Sequence, residues 1–176
     1  MHRIFIGLEI KKLLAKKLQN LCPQGKQIVS QPDLHLTLHF VGEVNTVKLQ
    51  DLKKILMKIH FTPFNLTLNK VDSFDKGRTP HFLIINAEKS QELNSLRQKI
   101  GECLLSLDFK LEDKSFVPHV TISKLNEKSE DLVNKFKETN SLFLASSVIS
   151  EFSLYEVDNS NKNPRYKILQ SYKAYI

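Results

Sequence analysis

Two stretches of the chain carry the same reactive pair at the same spacing, His35-Leu36-Thr37 and His119-Val120-Thr121. Residues i and i+2 of an extended strand project from one face, so each stretch offers an imidazole beside a hydroxyl. Leu34, Leu36 and Leu38 fall on the opposite face of the first, and Val120 and Ile122 on that of the second, giving both strands an apolar back to lock into a core. An imidazole, with an ordinary pKa of about 6.5, gives or takes a proton near neutral pH. A β-branched hydroxyl held beside it can donate to an anionic oxygen. Two such pairs can divide acid and base work between them. With 6 histidines and seven threonines in 176 residues, two His-x-Thr triplets arise by chance only about 2–3% of the time, so the duplication is read as a site.

The elements that must position these residues follow from periodicity. Residues 4–8 read as a strand and 11–21 as a helix with Leu14, Leu18 and Leu21 on one side, stopped by Pro23. Ile28-Val29 is a short apolar piece. Pro32-Asp33 turns the chain into an alternating strand that ends at Gly42. Asn45 or Thr46 can cap a helix striped by Leu49, Leu52, Leu56 and Ile59. Residues 64–68 and 82–85 read as strands across the polar loop 75–80, followed by a helix from Ser90 to about Leu107. A loop around Asp113-Lys114 precedes the strand 118–123, a short helix carries Leu132, Val133 and Phe136, and residues 148–157 and 166–175 form a closing hairpin.

Several strands succeed one another without a crossover helix, which predicts an α+β fold with antiparallel sheets. One domain over 1–176 suffices for this length. Strand, helix and a His-x-Thr strand occur in each half, with the two histidines 84 positions apart.

The formal charge of +7 and pI near 9.3 favour an anionic partner, although Lys11, Lys12, Lys16 and Lys17 also fit one solvated helix face. Cys22 and Cys103 show no metal or redox spacing and read as buried thiols. No apolar run is long enough to span a bilayer, and the segment after Met1 is too short for a signal peptide. The expectation is a cytoplasmic protein that does not engage a membrane. His39 shares the parity of His35, so a zinc set of His35, His39 and His119 is conceivable. Neither motif carries an acidic ligand, and the simpler expectation for His39 is an exposed position at the rim of the site. His2, His60 and His81 lack motif context.

The chain resembles the 2H phosphoesterase superfamily, in particular the bacterial and archaeal RNA 2′,3′-cyclic phosphodiesterases also called 2′-5′ RNA ligases. The resemblance is carried by Arg3 to Glu9, by Leu34-His35-Leu36-Thr37-Leu38-His39-Phe40-Val41-Gly42, and by Phe116-Val117-Pro118-His119-Val120-Thr121-Ile122-Ser123-Lys124. The segments 152–156 and 164–169 extend it to the C-terminus. It implies two pseudo-symmetric, intertwined lobes, each an antiparallel sheet backed by helices, with one motif from each lobe meeting in a central cleft. It also implies metal-independent, cofactor-free hydrolysis of RNA 2′,3′-cyclic phosphate ends or cyclic nucleotides to 2′-phosphates by a monomer, with 2′-5′ ligation as a possible reverse activity. A module that binds nucleotides or RNA without turnover is the alternative.

By the same analogy His35 is the proton donor and His119 the proton acceptor, with Thr37 and Thr121 on the phosphate. Phe40, Lys124 and His39 are the candidate substrate contacts. The family often has Arg at the positions of His39, Val117 and Lys124. Lys124 keeps the charge but not the planar guanidinium. Strand parity places Phe40 with Leu36 and Leu38, against a role in stacking on a base, unless the strand bends. The loop around Arg78 and the Arg165-Tyr166 segment are left without assigned roles.

Overall fold

The helices begin where the sequence supplies a cap. In the computed structural model, which describes all residues except 24–26, 30–32, 76–80, 113–114, 126–128, 159, 161–164 and 176, Asn45 accepts from the Lys48 N–H at 2.8 Å. Ser90 accepts from Leu93 at 3.1 Å and Ser129 from Leu132 at 3.3 Å. The elements along the chain are β1 (His2–Glu9), α1 (Lys12–Gln19), β2 (Gln27–Ile28), β3 (His35–Val44), α2 (Thr46–Leu56), β4 (Phe64–Asp75), β5 (His81–Ala87) and α3 (Gln91–Ser106). They continue with β6 (His119–Leu125), α4 (Glu130–Thr139), β7 (Ala145–Ile149), β8 (Glu151–Val157) and β9 (Tyr166–Lys173).

Among the described residues every strand pairing is antiparallel, in the order β7-β4-β5-β6-β3-β1-β8-β9, with β2 added beside β6. The expected α+β architecture is therefore present. One half of the sheet is β3-β1-β8-β9 and the other β7-β4-β5-β6. Among the described residues the halves join through one ladder bridge, Leu36 opposite Val120. Leu36, Leu52, Leu83, Ile85, Leu93, Ile100, Val120 and Leu154 lie in one buried apolar cluster behind the sheet. Lys11, Lys12, Lys16 and Lys17 are all exposed, as a solvated face of α1 requires.

Three expectations are corrected. Residues 148–157 are not one strand, because the chain breaks at Ser150. β7 pairs with β4 in one half and β8 with β1 in the other, so the C-terminal segment threads both. β3 does not stop at Gly42 but runs to Val44. Gly42, at φ 89°, takes the left-handed backbone where the register jumps from Phe5–Phe40 to Ile4–Gly42. Cys22 and Cys103 are partly rather than fully buried, and burial pushes the Cys22 thiol up to about 11, keeping it protonated.

Two strands approach closely beside the first motif. Gly7 faces Thr37 across β1 and β3, and a Cβ at Gly7 would come within 2.7 Å of the Leu36 carbonyl oxygen. Two main chains cannot part there without moving the His35 strand. Gly7→Ala is therefore expected to lower stability by about 1–3 kcal/mol, read as a lower urea midpoint at unchanged slope.

Candidate active site

An antiparallel bridge fixes what lies on either side of it. With Leu36 opposite Val120, continuing the register one residue each way sets His35 across from Thr121 and Thr37 across from His119. All four then share one face, while Leu36, Leu38, Val120 and Ile122 are buried on the other. The two His-x-Thr stretches are thus brought together as crossed imidazole–hydroxyl pairs around one point.

Each strand then bulges at the same place. Between Gly7–Thr37 and Ile6–His39 the register gains one residue, Leu38. Between Ile84–Thr121 and Leu83–Ser123 it gains Ile122. A bulge reverses the inside–outside alternation beyond it. His39 and Ser123 consequently turn inward, at 7% and 0% exposure, and Phe40 and Lys124 turn to the face of the histidines.

This corrects two readings based on parity. Phe40, 57% exposed, is on the histidine side, with its ring 6.2 Å from that of Phe5. His39 is neither at the rim nor beside His35. It is buried toward α3, its Nε2–H donating to the Arg97 carbonyl at 2.8 Å, while Arg97 Nε donates to the carbonyl of the bulged Leu38 at 3.2 Å. A cavity of about 610 Å³ lies on that side of β3, lined by His39, Arg97, Gly101, Leu111 and Phe116, and contains neither catalytic candidate. The zinc set of His35, His39 and His119 is not assembled, and no group of three potential metal ligands occurs among the described residues.

His35 and His119 are oriented alike. Nδ1 of His35 lies 2.7 Å from the Asp33 carbonyl and Nδ1 of His119 lies 2.7 Å from the Val117 carbonyl. A carbonyl can only accept, so Nδ1 carries the proton in each ring and Nε2 is left for proton transfer. Their surroundings differ. His35 is enclosed by Phe5 at 4.7 Å, Tyr166 edge-on at 4.9 Å and Tyr155 at 5.8 Å between ring centroids. His119 meets the ring of Phe74 edge-on at 5.3 Å. Burial lowers the His35 pKa below 6.5. The Asp33 carbonyl and carboxylate oppose that shift, and the charge of His119 adds to it.

Several residues near the pair had not been assigned roles from sequence. Asp33 is 5% exposed, and its carboxylate accepts from the backbone N–H groups of Arg165 at 2.9 and 3.1 Å and of Tyr166 at 3.1 Å. One residue thus fixes the His35 tautomer through its carbonyl and, through its carboxylate, seats Tyr166 against the same ring. Asn86 sits across from His119 in the β5–β6 register, and its side-chain oxygen is buried with no hydrogen-bond partner in the described structure. The signal for Asp33 was its place two residues before the histidine; for Asn86 there was none. Arg78 and Pro164 lie outside the described residues. His2 is held by Glu156 at 2.5 Å and His60 stacks on Tyr175 at 4.1 Å, which accounts for both.

Asp33→Asn removes the charge that supports the protonated form of His35. The His35 Cε1 proton, followed by NMR, should titrate at still lower pH than in the parent, whereas a carboxylate that merely tied down β9 would leave that midpoint unmoved. Asp33→Ala leaves part-buried N–H groups unpaired and should also cost about 1–3 kcal/mol of stability.

The sequence model described as the 2′-5′ RNA ligase superfamily matches residues 10–161. A protein of Archaeoglobus fulgidus named RNA 2′,3′-cyclic phosphodiesterase is 25% identical over 176 residues, covering 97% of this chain and 99% of its own. A Bacillus subtilis protein of the same name is 24% identical, covering 93% and 91%. The crystal structure of Escherichia coli LigT complexed with 3′-AMP superposes with a TM-score of 0.78 at 19% identity, over 99% of each chain, and shares the fold. No helix among the described residues is long and apolar enough to cross a membrane. With the match spanning most of the chain and including both His-x-Thr strands, this protein belongs to the 2′-5′ RNA ligase superfamily.

Proposed function

We propose that this protein is an RNA 2′,3′-cyclic phosphodiesterase that opens the cyclic phosphate at RNA ends to a 2′-phosphate, without a metal, using His35 and His119. The observation that carries the reading is the pair of imidazoles in the same tautomeric state, each opposite a threonine of the other motif around the Leu36–Val120 bridge. Its relatives' names supply the substrate class.

In this reading the phosphorus sits over the bridge. His119 Nε2 takes a proton from water as the water oxygen attacks, and His35 Nε2–H gives its proton to the departing O3′. Thr37 and Thr121 donate to the non-bridging oxygens, where charge builds in the transition state. The O3′–P bond breaks, the 2′ ester stays, and the enzyme is left with His35 neutral and His119 protonated. A ribose 5′-hydroxyl in place of water would form a 2′-5′ linkage by the same proton transfers. Phe40 is positioned to stack on the base of the cyclic nucleotide, and Lys124 to face the phosphate or a base. His39, buried and already bonded, is left out of substrate binding.

Burial favours neutral His35, so its role as acid makes a particular demand. The phosphate anion must raise its pKa on binding. Removing the partner isolates this titration. In His119→Ala the residual kcat/KM depends on His35 alone, and an acid is active when protonated. The residual activity should therefore be highest at low pH and fall as pH rises through a midpoint below 6.5. A residual activity that increases with pH instead would assign His35 as the base.

Two further outcomes test the reading itself. His35→Ala and His119→Ala should each lower kcat on a 2′,3′-cyclic-phosphate-ended oligonucleotide by about 10²–10⁴-fold, with circular dichroism unchanged. Activity of the parent should persist in excess chelator, with a 2′-phosphate as the product. Full activity in either alanine variant would end the assignment, and binding of the oligonucleotide with no turnover would favour the nucleotide-binding alternative.

A further inference from the structure

The face that carries His119 has an aromatic pair that the proposed reaction does not use. Phe74 and Phe82 oppose each other on β4 and β5, their rings stacked at 5.2 Å and 28°. Phe82 is also the cross-strand neighbour of Lys124, and Phe74 meets the His119 ring edge-on at 5.3 Å. Cross-strand pairs project from one face, so Phe74, Phe82, Lys124 and His119 form one patch. On β5 the alternate residues Leu83 and Ile85 are fully buried, whereas Phe82 is only partly so.

The twin bulges make this patch the counterpart of Phe40. Counting from each histidine, Phe40 and Lys124 occupy the same place, each turned outward by the extra residue before it. About the Leu36–Val120 bridge, Phe5 and Phe40 flank the His35 side, and Phe74, Phe82 and Lys124 flank the His119 side. A phosphorus centred on that bridge therefore has an aromatic surface to either side. A cyclic mononucleotide brings only one base. A phosphodiester joining two nucleosides brings two.

We propose that Phe74 and Phe82, with Lys124 beside them, form a second nucleobase subsite, so that the cleft binds two ribonucleosides joined through one phosphate. This rests on the reading of the His pair as a phosphodiester site. The second nucleoside is the one on the 5′-oxygen side of the phosphorus, where water stands during hydrolysis. Stacking on a phenyl face suits any base, and Lys124 supplies a cation for the phosphate or for a base carbonyl.

The test compares two inhibitors of 2′,3′-cyclic AMP hydrolysis, 2′-5′-linked adenylyl-adenosine and the methyl ester of adenosine 2′-phosphate. Both are singly charged diesters, and only the first has a second base. The dinucleoside should bind about tenfold more tightly. Phe82→Leu, which keeps apolar bulk but removes the ring, should bring the ratio of the two inhibition constants toward one. Phe40→Leu should weaken both inhibitors and leave the ratio in place.

A ratio near one in the parent, with hydrolysis intact, would overturn the subsite and leave the catalytic reading standing. Equal weakening of both inhibitors by Phe82→Leu would reduce the aromatic pair to a wall behind His119, again overturning the subsite. If cyclic AMP is not hydrolysed, direct calorimetry with the same two ligands decides. A preserved tenfold ratio would support the two-nucleoside cleft while removing the hydrolase reading.

Discussion

The backbone bridge between Leu36 and Val120 is the constraint on which the site depends. It is short because each strand has other pairings to satisfy. Along the edge that meets β3, β6 gives Ser123 and Lys124 to β2, and β3 follows β1 on its other side. Among the described residues the two halves of the sheet are thus laddered at this one pair. Both bridge side chains are fully buried, and burial of a Leu or Val is worth about 1.5–3 kcal/mol. The hydrophobic core therefore holds the crossing, and the crossing sets one imidazole opposite each hydroxyl. A register slip of one residue would send all four polar groups into the core, so the apolar back of each motif protects its geometry.

Much of this was legible in the sequence, and the unread part has a physical cause. Alternation around His35 and His119 is a local property, and the two histidines and threonines did fall on one face. The strand bulges are not local. Leu38 and Ile122 are extra residues only relative to β1 and β5, their partners on the other edge. No periodicity within the motif reveals that, so parity placed His39 at the rim and Phe40 in the core, the reverse of what the fold does. The break at Ser150 was hidden for a similar reason. Residues 148–157 alternate well enough for one strand, and only the demand for two partners in opposite halves divides them.

The buried polar groups show how the bulges are stabilised. A bulge leaves a ladder carbonyl without its strand partner. At Leu38 that carbonyl accepts from Arg97 Nε, and the same arginine's main-chain carbonyl accepts from the inward-turned His39. Gly101, on the next turn of α3, leaves only 3.4 Å between a would-be Cβ and the His39 ring. His39 is thus best understood as a structural member that fastens α3 to β3. Its place in the first motif reflects how Phe40 is turned outward.

Pseudo-symmetry supplies two equivalent imidazoles, and the proposed acid–base chemistry requires that they differ. The backbone treats them alike, down to the same 2.7 Å bond from Nδ1 to the carbonyl two residues earlier. The difference comes from the surroundings. Around His35 stand Phe5, Tyr155 and Tyr166, with Phe5 and Tyr155 stacked nearly parallel at 4.7 Å, and that enclosure disfavours the charged ring. Asp33 works against it, and Asp33 is also what seats Tyr166 there. The same residue that closes the apolar cage supplies a negative charge within it, so the ring is desolvated without being cut off from its proton. A nearby phosphate anion would act in the same direction as Asp33. The cage therefore makes protonation of His35 responsive to occupancy of the site, a coupling that an open, well-hydrated imidazole would have to a much smaller degree.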